Sequence, residues 1–165
     1  MPAPTADLRG VGGWLAFFLI SLSLLSPLRA YEDLTRTFFE AEGATAGLVS
    51  SPLWRTYKTI LWSALGAQVG LSWIAGWLLV TTTRRGSVRW TIGLLWSVTL
   101  VLPLLTFFAV SSMLGPKMGA AQAETAIVTM VAGSVWAAVW TAYLLRSRRV
   151  KNTYVDSPPS LVAEH

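Results

Sequence analysis

Four stretches of this sequence, at about residues 11–28, 59–83, 90–113 and 125–145, contain no Asp, Glu, Lys, Arg or His. A helix needs about 20 apolar residues to cross a hydrocarbon core of about 30 Å. Each stretch comes close to or exceeds that length. The pattern predicts an all-α fold: an integral membrane four-helix bundle. Composition agrees, because 53% hydrophobic against 13% charged residues is too apolar for a soluble domain of this size.

Charge, read by position, gives an orientation. With the N-terminus in the cytoplasm, Arg9, Arg84, Arg85, Arg89, Arg146, Arg148, Arg149 and Lys151 fall inside, while Arg29, Arg36, Arg55, Lys58 and Lys117 fall outside. Glu32, Asp33, Glu40, Glu42 and Glu124 balance the outer group. The surplus therefore stays inside, as the positive-inside bias requires, and both termini are expected in the cytoplasm. The first apolar run is expected to be a span, with a signal peptide, whose cleavage would leave three spans, as the alternative that the residues disfavour. Leu28, two before Ala30, is too bulky for a small-residue cleavage site, and Arg9 alone supplies the basic leader. Residues 1–155 form a single membrane domain on this reading, and 156–165, with Pro158 and Pro159, a disordered cytoplasmic tail.

The connection between the first two spans is long. Within "AYEDLTRTFFEAEG", Tyr31, Leu34 and Phe38 recur at helical spacing with charged residues between them. That predicts a short amphipathic helix ending near Gly43 and lying on the outer membrane surface. Trp14, Trp54, Trp62 and Trp90 are assigned to the interfacial aromatic belts.

The chemistry available is narrow. There is no cysteine, and the one histidine is His165. Thiolate catalysis, imidazole triads, haem ligation by histidine and the usual zinc sites are all ruled out. No cofactor, no metal and no catalytic residue is expected, and the protein reads as not an enzyme. "GVGGWLAFF" lacks the G-x-G-x-x-G spacing and so does not suggest phosphate binding.

Within the spans, Gly66 and Gly70 form a GxxxG pair, with Ser72 and Gly76 repeating the spacing, and Gly133 and Ala137 supplying small residues in the fourth span. Small residues let helix backbones approach in lipid. These positions are expected to pack within the bundle, with a homodimer seam as the alternative. Pro103 deprives the Thr99 carbonyl of its donor, and Gln68, at comparable depth, is expected to donate to it across the bundle. Ligand contact is the other reading of Gln68. Trp73 and Trp77, and Trp136 and Trp140, lie deeper than the belts and either pack between helices or line an apolar pocket. Arg84, Arg85, Arg89, Arg146, Arg148, Arg149 and Lys151 set topology and attract anionic headgroups at about 1 kcal/mol each. Nothing independent supports nucleic-acid binding.

"GVGGWLAFFLISLSLLSPLRAYEDL", "SPLW" before the second span and above all "VWTAYLLRSRRVKNTYV" resemble the YdgK-like family of bacterial inner-membrane proteins, domain-of-unknown-function family 2569. The likeness runs from about Gly10 to Val155 and leaves out "GPKMGAAQAE". It implies a four-helix protein of the bacterial inner (cytoplasmic) membrane with both ends cytoplasmic, and brings no activity. By elimination the leading expectation is a non-enzymatic module that binds membrane lipid or a partner protein. The alternative is an uncoupled transporter or binding protein for a small hydrophobic or lipid-like molecule, because the spans lack the carboxylate that proton coupling needs.

Overall fold

The computed structural model describes residues 13–82 and 84–154, and at 85, 118 and 149 the backbone alone. The described residues form helices and turns. Helix α1 spans Trp14–Ala44 and α2 Pro52–Thr81. Helix α3 runs through Arg85–Trp96, a π turn at Ser97–Val101, and Leu102–Leu114. Helix α4 spans Pro116–Arg146, and a short α5 spans Arg148–Thr153. Four helices are long and apolar enough to cross a membrane. They run up and down, so α1 begins where α2 ends, α3 begins and α4 ends. We call this the terminal end and the opposite one the loop end.

The turns follow from local chemistry. Gly115 takes φ 87° between α3 and α4, a conformation only glycine adopts freely, and Pro116 occupies the first turn of α4, where no amide donor is required. At the other loop-end connection Gly47 turns the chain at φ 80°. Ser51 then caps α2 by accepting from the Trp54 amide at 3.5 Å, and Pro52 opens the helix.

Two boundaries differ from the sequence reading. The expected surface helix is helical as far as Ala44, but it continues the first span and is not a separate element in the interface. At 1.5 Å per residue, a 31-residue helix is about 46 Å long, so its last turns stand beyond a hydrocarbon core of about 30 Å. Phe38 is buried against α2, while Tyr31 is exposed and Leu34 half-buried. At the other loop, "PKMGAAQAE" is the start of α4 and not a connector: its Ala, Gln, Glu and Met favour helix. The expected tail at 156–165 lies outside the described residues.

The prolines inside α1 and α3 are handled alike. Pro27 follows a π turn at Ser21–Leu25, closed by the Ser26 amide on the Ser21 carbonyl; Pro103 follows the one at Ser97–Val101, closed by the Leu102 amide on the Ser97 carbonyl. The local sequences "SLSLLSPL" and "SVTLVLPL" share the pattern. In each, the hydroxyl residue four before the proline faces a glycine of the next helix. A Cβ on Gly76 would stand 2.7 Å from Ser23 Oγ, and one on Gly133 3.0 Å from Thr99 Cβ. The π turn widens the helix where the proline ring would clash, and the glycine admits the widened turn.

The core is lopsided. Leu15, Phe18 and Leu22 of α1 meet Ala75 and Leu79 of α2, Val88 and Leu95 of α3, and Ala137, Trp140 and Leu144 of α4, all near the terminal end. Phe18 and Trp140 pack with tilted rings, centroids 4.5 Å apart. Val150 and Tyr154, in and after α5, complete the cluster. The Tyr154 hydroxyl donates to the Leu79 carbonyl at 2.6 Å, one of the carbonyls that the end of α2 leaves unpaired. Burial pushes its phenol up to about 12. The fully buried Thr91 donates to the Ala75 carbonyl at 3.3 Å and joins α3 to α2.

Candidate functional site

At the loop end the helices are tied at their rim. The Glu42 carboxylate accepts from Trp54 Nε1 and from Lys58 Nζ, each at 2.7 Å, and so fastens the end of α1 to the start of α2. Phe38 packs edge-on against Trp54 at 5.6 Å, and Trp54 stacks on Tyr57 at 5.4 Å. The Tyr57 hydroxyl and Gln122 Oε1 lie 3.0 Å apart, which reaches across to α4. Trp54 is thus a buried strut, not the lipid-facing belt residue expected; Trp14 and Trp90 are well exposed.

Below this rim, α2 and α3 line an open groove of about 710 Å³ on the side of the bundle. The volume lies within the range of about 300–1,000 Å³ typical of small-molecule sites. One wall is α2, with Pro52, Arg55, Thr56, Thr59, Ile60, Ser63, Ala64 and Ala67; the other is α3, with Leu102, Leu105, Thr106, Ala109 and Met113. The groove is left between the walls because α2 presents short side chains here, which do not fill the space beside α3 although the two backbones pass close to each other. From Arg55 to Ala67 the groove follows α2 for about 18 Å at helical rise. It ends beside Leu102, next to the π turn of α3.

The groove is apolar despite its hydroxyls. Thr56 donates to the Pro52 carbonyl at 3.2 Å, Thr59 to Arg55 at 2.9 Å and Thr106 to Leu102 at 2.9 Å, each within its own helix. Among the lining residues Arg55 carries the sole charge. It is exposed and forms no ion pair with any described residue, whereas its neighbour Lys58 is held by Glu42 at 2.7 Å.

The residues singled out from sequence distribute as follows. Gly76, Gly133 and Ala137 lie at close helix contacts, and Ser72 is buried with its hydroxyl unpartnered. Gly66 and Gly70 do not pack within the bundle: a Cβ at either would meet nothing within 4 Å. Seven residues advance a helix by nearly two full turns, so Gly70 shares the open face of Ser63, and Gly66 lies close to it. Gln68 stands half-buried on the bundle side of α2 but makes no hydrogen bond with a described residue, so the expected donation to Thr99 is not made. The buried Thr99 hydroxyl bonds back to Leu95 at 3.0 Å. The cross-helix donation occurs at the other proline, where Trp73 Nε1 donates to the Ser23 carbonyl at 2.9 Å, the group that Pro27 leaves without a helical donor.

None of the four deep tryptophans lines the groove. Trp77 faces outward, Trp136 borders Trp140, and Trp140 is a core residue. The basic set gathers at the terminal end: Arg84, Arg89, Arg146, Arg148 and Lys151 are exposed there, while the side chains of Arg85 and Arg149 lie outside the described residues. Sequence reasoning missed the groove. Its signal was the run of Thr56, Thr59, Ser63, Ala64 and Ala67 on one face of α2, which reads as a packing stripe and does not say that the facing side chains leave a groove.

Residues 8–155 match the model of a family described as "Protein of unknown function (DUF2569)". No curated protein and no solved structure matches the chain.

Proposed function

The chain belongs to the DUF2569 family, and we propose that it is a non-enzymatic, multi-pass protein of the bacterial cytoplasmic membrane that holds one membrane lipid in the groove between α2 and α3. The single observation behind this reading is an apolar groove open sideways and confined to one half of the bundle. A lateral opening admits a molecule already dissolved in the bilayer. The filled core at the terminal end leaves no continuation through the other leaflet, which favours holding over transport.

The terminal end is the cytoplasmic one on this reading. In its support, among the described residues Glu32, Asp33, Glu40, Glu42 and Glu124 all lie toward the loop end, and exposed Arg84, Arg89, Arg146, Arg148 and Lys151 at the terminal end. Because the chain has no cysteine, single cysteines report topology without background. In intact cells an impermeant maleimide should label Val49→Cys and spare Ser147→Cys; the reverse labelling would invert the orientation.

The groove is tested by filling it. Ala64 and Ala109 face it from opposite walls and are half-buried. The double variant Ala64→Phe with Ala109→Phe should lose most of the lipid that the wild type retains through detergent purification, with its melting temperature kept. Equal lipid in both proteins would sink the reading.

A further inference from the structure

Resting on that reading, we propose that the occupant is a phosphodiester lipid of the loop-end leaflet, with one acyl chain in the groove and its phosphate on Arg55. Depth is the first argument. Helix α2 has 30 residues, about 45 Å, so a hydrocarbon core of about 30 Å centred on it begins within a turn of Arg55. The guanidinium therefore stands at headgroup level. From there the groove descends about 18 Å to Ala67, close to the depth of one leaflet, about 15 Å.

Charge is the second argument. Arg55 is exposed, lines the mouth and has no anionic partner among the described residues, although Glu42 lies one helix away and is engaged by Lys58 and Trp54. A cation left unpaired beside an apolar slot fits a molecule with an anionic head and a hydrocarbon tail. A planar guanidinium matches a phosphate with two parallel hydrogen bonds, which a lysine does not reproduce. The slot supplies little competing polar recognition: its three threonine hydroxyls are spent on their own helix, and Ser63 leaves a single neutral hydroxyl. The phosphate alone then discriminates between lipids of equal chain length.

The test is native mass spectrometry of the full chain in mild detergent, titrated with phosphatidylglycerol or with diacylglycerol of the same acyl chains. Wild type should retain phosphatidylglycerol about tenfold better. Arg55→Gln should narrow that gap to about twofold, and Arg55→Lys should restore it only in part. Lys117→Gln, exposed at the same end and outside the groove, should leave the gap unchanged. Equal retention of the two lipids by the wild type, or an unchanged gap in Arg55→Gln, overturns the phosphate assignment while leaving a chain-binding groove. Failure of the wild type to retain either lipid, together with no effect of the Ala64→Phe and Ala109→Phe pair, overturns the groove reading itself.

Discussion

The two halves of this bundle solve the problem of helix association in lipid differently. At the terminal end the backbones approach at Gly76 and Gly133, large side chains such as Phe18 and Trp140 fill the centre, and α5 closes it with Val150 and Tyr154. At the loop end α3 and α4 pack closely, with Gly119 against Ser111 and Val110 fully buried, and a ring of directed contacts, Glu42 with Trp54 and Lys58, and Tyr57 with Gln122, ties the rim, while α2 and α3 leave a groove open on one side. In lipid the hydrophobic effect does not draw helices together; packing and hydrogen bonds must. A half whose centre is filled by large side chains has no room for a ligand. A half in which short side chains of α2 face α3 leaves a groove.

The largest effect that would break this contrast is in the packed half. Phe18→Ala removes a fully buried ring packed on Trp140 and should cost about 3 kcal/mol, read as a fall in the thermal unfolding midpoint in a fixed detergent. Leu105→Ala, exposed on the groove wall, should cost less than about 1 kcal/mol on the same scale. Comparable losses at the two sites would mean that the halves are equally packed.

Glycine substitutions sharpen the comparison. Gly133→Leu forces a side chain into Thr99 and should cost about 1–3 kcal/mol. Gly66→Leu and Gly70→Leu point into open space and should be neutral or slightly stabilising, because leucine restricts the unfolded chain more than glycine does. Destabilisation at Gly66 or Gly70 in detergent would instead reveal a contact that a single chain does not contain.

Tyr154→Phe tests the closing segment. Losing the donor to the Leu79 carbonyl should cost about 1 kcal/mol. The phenol is raised from about 10 to about 12, so the folded state favours its neutral form. Its contribution is complete below pH 10 and is lost as pH rises from about 10 to about 12. The wild type should therefore lose stability over that interval more steeply than Tyr154→Phe, measured by unfolding midpoints at each pH.

The spans were legible because absence of charge over about 20 residues has a single physical outlet. The amphipathic run at Tyr31, Leu34 and Phe38 was legible as helix. Its fusion to the first span was not, since a proline at 27 ordinarily argues for a break and only the π turn at Ser21–Leu25 carries the helix through. The GxxxG spacing located a close-approach surface without saying which of its glycines meet another helix. Gly76 does and Gly66 does not, and that depends on the crossing of α1 and α3 over α2. The groove stayed hidden for the same reason: a void is a property of two helices, and the short side chains of Ser63, Ala64 and Ala67 are the same whether a partner fills the space or leaves it. Val150 and Tyr154 carried no packing signal in the sequence, because the neighbouring cations dominate the pattern.

The smallest effect separates the two proline turns. Trp73 donates to the Ser23 carbonyl from α2, while the matching turn of α3 has no indole placed to do so: Trp96 donates to Thr141 Oγ1 at 3.2 Å, across to α4. Trp73→Phe keeps most of the ring and deletes that one donor, so it should cost about 0.6 kcal/mol, the average found for hydrogen bonds inside membranes. The local consequence should exceed the global one. With the carbonyl freed, amide hydrogen exchange should quicken at Leu25 and Ser26, around the π turn of α1, and stay unchanged at Val101 and Leu102 in the π turn of α3. If both turns quicken together, the bundle has loosened as a whole and Trp73 is not a local seal. If neither does, the π turn of α1 holds without the indole, and the two prolines are accommodated by the same backbone geometry alone.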